Sequence, residues 1–337
     1  MKKIINEPGH PEVKFGKTGV LLINLGTPDS TSWWDIRKYL KEFLSDRRVI
    51  ELNPVVWKII LNTFILTFRP SKTAHAYKQI WMNSINQSPL RFYTTQQTKK
   101  LKSKLSDPEV IIDYAMRYGN PSIRDKIKNL QDQGCEKIII FPLYPQYAAA
   151  TTATVCDEVY RTLMNMRWQP SLQIIPHYES EPLYIKALVN SIKKKISEIN
   201  WKPDLIIASY HGIPKKYFEK GDPYHCYCLK TSRLMKEQFK EIEIETTFQS
   251  RFGPQEWLRP YTDKTIESLP NKGKKNILVI CPGFSSDCVE TLEEIAIQGK
   301  ESFIENGGVN YDVVPCLNDN DDHIFMLKNI VSKYLIK

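Results

Sequence analysis

Short apolar runs recur along the chain, each closed by a turn and followed by a stretch whose apolar residues return at helical spacing. Residues 18–25, TGVLLINL, are the first such run, and Gly26-Thr27-Pro28-Asp29-Ser30 closes it. The run reads as a buried strand, and Asp29 or Ser30 can cap the helix that follows. Trp33, Ile36, Tyr39, Leu40 and Phe43 then fall on one helical face. Further strands are predicted at 110–116, 137–143, 172–176, 204–209, 243–249, 275–281 and 311–315, and helices at 122–133, 154–166, 183–199, 224–241, 261–269 and 289–306. Such alternation predicts an α/β protein whose parallel sheets are flanked by helices on both faces. It runs in two rounds with a boundary near 173–181, giving lobes at 18–175 and 176–318 and a C-terminal helix at 319–337.

One segment breaks the alternation. Residues 55–68, VVWKIILNTFILTF, are apolar on nearly every side and end at Arg69-Pro70. They form either a core helix or an exposed apolar lip, and core is the commoner outcome. Lys58 and Asn62 interrupt the run, which is too short and too polar to span a bilayer.

The length of 337 residues suits about two domains, and 42% hydrophobic with 25% charged residues is ordinary for a soluble globular protein. The formal charge of +9 is scattered over many lysines. That pattern fits a solvated surface, an anionic substrate or an acidic membrane face. Nucleic acid is not expected, because there is no basic arm, C2H2 spacing or RNP-like aromatic motif. No Gly-x-Gly-x-x-Gly or P-loop follows a strand, so nucleotide binding has no support. Residues 1–17 are polar and lack the apolar centre of a signal peptide, and the seven cysteines are odd in number and scattered. Both features predict reduced thiols and a cytoplasmic protein.

Candidate chemistry gathers at strand ends, where parallel sheets bind their ligands. His211, in Ser209-Tyr210-His211-Gly212-Ile213-Pro214, follows the 204–209 strand. It is either a base or metal ligand, or a histidine bonded to its own loop. The 275–281 strand ends in Cys281-Pro282-Gly283-Phe284, and Asp287, Glu290 and Glu294 open the next helix. Asp287 has a capping role available. Glu290 and Glu294, four apart, would repel as neighbours on an exposed face, or serve protons or a hydrated cation if they faced His211. Their stripe would continue at Gln298. One imidazole with two carboxylates suits a divalent metal bound weakly and released, unlike a zinc hydrolase site. Trp257, after Phe248-Gln249-Ser250-Arg251-Phe252-Gly253-Pro254, offers a flat wall for a planar ligand, while Phe248 and Phe252 read as core. His225-Cys226-Tyr227-Cys228 has no matching second cysteine pair, and thiols opening a helix are the favoured reading over zinc or iron–sulfur.

Four stretches together resemble the ferrochelatase family in its proteobacterial form: Leu22-Ile23-Asn24-Leu25-Gly26-Thr27-Pro28, Tyr210-His211-Gly212-Ile213-Pro214 with Gly221-Asp222-Pro223-Tyr224, residues 248–257, and residues 281–294. The resemblance implies two Rossmann-like lobes of the class II chelatase type, with a porphyrin cleft between them. It implies insertion of ferrous iron into protoporphyrin IX to give protohaem, with both as substrates and no permanent cofactor. His211 matches the family's active-site histidine and Glu290 its opposing glutamate, with Glu294 behind it; His211 and Glu290 are the implied metal contacts. Arg69, Tyr77 and Ser88 match positions that hold the macrocycle and its propionates, and Leu25, Arg117, Tyr118 and Trp257 match other cleft positions. Residues 53–70 match the lip over the porphyrin mouth, which replaces the core-helix preference and raises peripheral membrane contact through 55–68. A [2Fe–2S] cluster of the animal type is not expected, since Ala149 stands at its first cysteine position and no cysteine follows Cys316. The rival readings are a porphyrin or haem carrier, and a chelatase for coproporphyrin or sirohydrochlorin. Nothing in the chain fixes an oligomeric state.

Overall fold

The computed structural model describes residues 8–10 and 12–335. Strands β1 (Lys17–Thr27), β2 (Val110–Gly119), β3 (Cys135–Pro142) and β4 (Ser171–Ile174) form one sheet in the order β2-β1-β3-β4. Strands β5 (Leu205–His211), β6 (Ile244–Gln249), β7 (Asn276–Ile280) and β8 (Asn310–Val314) form a second in the order β6-β5-β7-β8. Every pairing is parallel. The second sheet therefore repeats the order of the first. In each, the first strand is central and the chain crosses to its two sides in turn, which makes the carboxyl ends of β1 and β5 the topological switch points where such sheets open a crevice.

Strands β1, β3, β5 and β7 were legible because they are largely buried on both faces; in β5, Leu205 to Tyr210 are all buried. Val20, Leu22 and Phe141 of the first sheet share one core with Ile206, Ala208 and Leu278 of the second. Residues from helices Pro182–Glu198 and Asp321–Leu335 complete that core. Residues 336 and 337 of the expected C-terminal helix lie outside the described ones.

Two elements depart from the sequence reading. A helix at Pro89–Lys104 carries a buried face of Thr94, Gln97 and Thr98 beside Leu90 and Leu101, so no apolar period announced it. The apolar segment does not stop at Arg69-Pro70. Helix Pro54–Ile60 passes into wide i→i+5 turns at Leu61–Ile65 and then into helix Leu66–Ile80, with Pro70 inside. The wide turns shift the hydrogen-bond register just ahead of the proline, whose missing N–H interrupts a regular ladder. Nor is this segment core: Val55, Ile59, Phe64 and Phe68 are exposed, Phe68 by 72%, while Leu61 and Leu66 alone are fully buried from residues 55–68. Among the described residues no helix is long and apolar enough to cross a membrane.

Candidate active site

His211 is the last residue of β5 and pairs with Gln249 at the end of β6. The N–H of Gly212 donates to the Gln249 carbonyl at 2.8 Å. A Cβ at Gly212 would stand 2.9 Å from that carbonyl and 3.1 Å from the Trp257 ring, so only glycine allows the approach. His211 Nδ1 lies 2.7 Å from its neighbour's carbonyl, Gly212 O, a contact that a protonated Nδ1 satisfies. Nε2 then keeps its lone pair, the state in which imidazole takes a proton or touches a metal. The buried Trp257 ring is 6.5 Å from the imidazole, and its indole N–H donates to Phe252 O at 3.0 Å.

The acidic pair stands on Glu290–Gly299, which is wound throughout in i→i+5 turns. Such turns concentrate at functional sites, because they re-aim side chains at a cost in hydrogen bonding. Tyr311 of β8 supports the winding, its hydroxyl donating to Ile295 O at 2.7 Å. A Cβ at position 299 would come within 2.6 Å of that hydroxyl, which explains Gly299. At the other end the buried Asp287 carboxylate accepts from the Thr291 hydroxyl at 3.0 Å, the Cys316 N–H at 3.3 Å and the Asn318 amide at 2.6 Å.

Glu294 accepts from the Ser250 N–H at 2.7 Å and from the Ser250 hydroxyl. Burial pushes its carboxyl above the ordinary range; the Ser250 bonds and the His211 charge oppose that shift, and Glu290 adds to it. Glu294 is thus the acid tied to Ser250 and within electrostatic reach of His211. Glu290 stands on the other flank, lining a cavity with Leu25, Thr27, Tyr39, Tyr77 and Ser88. The Glu290 charge reinforces the upward push of burial on the Tyr77 phenol. Glu294 therefore feels the charges of both His211 and Glu290, and Tyr77 feels that of Glu290.

Sequence reasoning passed over Gln249. Its side chain is buried; Nε2 donates to Glu290 O at 2.8 Å and Oε1 accepts from the Ser209 hydroxyl at 2.7 Å. One amide therefore fixes the strand that carries His211 to the helix that carries the acids. The visible signal was a polar residue closing an alternating strand. Ser250, held at φ 65, left no signal of that kind.

The remaining expected residues divide. Leu25, Tyr77 and Ser88 reach the cavity beside Glu290. Arg69 faces the 250–257 loop, where its guanidinium carbon lies 5.3 Å from the Phe252 ring centre. Arg117 and Tyr118 are buried and engaged elsewhere: Arg117 pairs with Asp46 at 2.5 Å and donates to Thr154 O at 2.9 Å, and the Tyr118 hydroxyl donates to Asp46 at 3.0 Å. Phe252 is not core but 40% exposed. On helix Tyr224–Lys236, Cys226 is exposed and Cys228 buried, so the two thiols do not converge, and His225 stacks on Phe248 at 5.5 Å. Among the described residues no three His, Cys, Asp or Glu side chains are grouped closely enough to hold a metal ion.

This arrangement has relatives. The family model described as Ferrochelatase matches residues 17–335. A ferrochelatase of Allorhizobium ampelinum is 53% identical over 340 residues, covering 99% of each chain. One of Francisella tularensis is 53% identical over 324 residues, covering 95% of this chain and 96% of the relative. Among solved structures, SirB from Bacillus subtilis with Fe3+ superposes with a TM-score of 0.56 at 11% identity, covering 94% of this chain and 95% of that one, a likeness of fold alone. A second SirB structure, a sirohydrochlorin chelatase from Bacillus subtilis subspecies spizizenii in complex with cobalt, gives the same TM-score of 0.56. With the family model matched over nearly the whole chain and relatives this similar, the chain belongs to the ferrochelatase family.

Proposed function

We propose that the protein inserts ferrous iron into protoporphyrin IX, releasing two protons and protohaem. What supports this reading is an imidazole at the β5 switch point, within electrostatic reach of the Glu294 carboxylate on a re-aimed helix and 6.5 Å from the Trp257 ring. A free-base porphyrin must lose two N–H protons while its nitrogen lone pairs turn towards the metal. His211 Nε2 accepts the first protons or holds the iron briefly. Glu294, whose carboxyl burial pushes above the ordinary range, and Glu290 behind it pass protons or the cation along the helix. Arg69, Tyr77, Ser88, Leu25 and Trp257 position the macrocycle. The test is anaerobic incubation with Fe2+ and either protoporphyrin IX, coproporphyrin or sirohydrochlorin, following the loss of free-base fluorescence. Metallation of protoporphyrin IX ahead of the others supports the reading. Binding without metallation of any of the three would make the protein a carrier instead.

The exposed side chains of Val55, Ile59, Phe64 and Phe68 carry a second part of the proposal. Apolar groups clustered on a basic protein favour a membrane surface, where an apolar porphyrin partitions. The protein is expected to sediment with anionic vesicles, and to stop doing so once Ile59, Phe64 and Phe68 are replaced by serine. Absence of sedimentation before those changes refutes the contact.

A further inference from the structure

Among the described residues no carboxylate pairs with Arg69, and burial holds its guanidinium below the usual range. A cation withdrawn from water normally finds an acid. Here its neighbour is an aromatic face: the guanidinium carbon sits 5.3 Å from the Phe252 ring centre. The contact crosses from helix Leu66–Ile80 of the first lobe to the loop after β6 of the second. That loop is fixed in turn, because Phe252 and Trp257 rings lie 5.0 Å apart and the Trp257 indole donates to Phe252 O at 3.0 Å. The same indole walls His211 at 6.5 Å.

We propose that Phe252 is a positioning residue which holds the Arg69 guanidinium ready to receive a carboxylate of the tetrapyrrole substrate. The inference rests on the porphyrin reading above. An acid in place of Phe252 would occupy the N–H donors that recognise a carboxylate. A ring attracts the cation through its face and leaves those in-plane donors unused, so the fork is oriented yet unoccupied. Phe252 also ties carboxylate recognition to the wall of the reaction site through Trp257.

The experiment measures equilibrium binding of metal-free protoporphyrin IX, and of its dimethyl ester, to the full chain by porphyrin fluorescence. Phe252→Leu keeps apolar volume without a ring, and Phe252→Tyr keeps the ring. Phe252→Leu is expected to weaken the diacid about two- to fivefold more than it weakens the diester, the range of an exposed cation–π contact. Phe252→Tyr should match the parent chain. Equal weakening of diacid and diester, no weakening of the diacid, or a loss with Tyr as large as with Leu would each overturn the role. If the parent chain binds neither porphyrin, the proposed function fails instead. Because the side chain is 40% exposed, these substitutions do not disturb the core.

Discussion

Acid should loosen the mount of the acidic helix through a single buried imidazole. His323, fully buried, lies with Nδ1 2.6 Å from Asn318 O, and Asn318 grips Asp287, whose carboxylate holds Thr291 at the start of Glu290–Gly299. Burial lowers the His323 pKa from 6.5 to about 4, outweighing the bond to Asn318 and the charge of Asp319, which raise it. The unfolded chain therefore takes up a proton near pH 6.5 that the folded chain refuses until about pH 4. Stability from this group is complete above pH 6.5 and is lost as pH falls through that window. At about 1.4 kcal/mol for each unit, the loss amounts to about 3 kcal/mol. Urea unfolding of the parent chain and of His323→Gln, which retains a donor for Asn318, should be measured from pH 7.5 to pH 4. The carboxylates common to both cancel in the difference, so the parent should lose about 3 kcal/mol more than the variant across the window. Parallel curves would refute the reasoning.

Three further outcomes follow from the site. His211→Ala should lower metallation by at least about 100-fold, the contribution of a positioned base, with free-base porphyrin affinity within about twofold by fluorescence titration. Glu294→Gln should be more stable than the parent at pH 7 in urea melts, and the gap should close as pH falls towards 4.5, because a carboxyl whose pKa is raised by burial costs stability only when ionised. Gln249→Leu removes one partner from the buried Ser209 hydroxyl, which keeps Thr262, and the side-chain donor from the Glu290 carbonyl. It should cost about 1–3 kcal/mol in unfolding and lower kcat while leaving KM for porphyrin unchanged.

The central strands and the switch-point position of His211 were readable because burial on both faces writes itself as continuous apolar runs, as in β1, β3, β5 and β7. The winding of the acidic helix was not, because an apolar pattern does not distinguish i→i+4 from i→i+5 turns over so short a span. Reading 290, 294 and 298 as one stripe assumed α-helical turns. In the folded chain Gln298 is exposed and bonds at 2.6 Å to Glu293, five residues earlier, as the wider winding dictates. The same change separates the two acids in role, placing Glu294 against Ser250 and Glu290 against the Tyr77 side. Helix Pro89–Lys104 escaped for the opposite reason: its buried face is polar, and only its partners in the other lobe reveal why.

Those partners explain how two lobes of the same topology come to act as one site. Gln97 of that helix reaches Ser285 O, Ser286 Oγ and Asn318 O within 3.0 Å, all beside the Asp287 anchor of the acidic helix. On the opposite side the Tyr217 hydroxyl donates to Val49 O at 3.1 Å, and Lys220 pairs with Glu51, joining the lip base to the chain just after His211. Apolar burial is non-directional and could not by itself fix the distance between a porphyrin wall and a proton acceptor; directional bonds across the lobe junction can. In the proposed reaction the first lobe contributes Leu25, Arg69, Tyr77 and Ser88 to holding the ligand, and the second contributes His211, Glu290 and Glu294 to the chemistry and Trp257 to the wall beside them. Duplicated sheets thus need not share the chemistry: under the proposed function the second switch point carries the base, and the polar fastenings between the lobes set the geometry in which that base and the ligand-holding residues of the first lobe can meet the same ring.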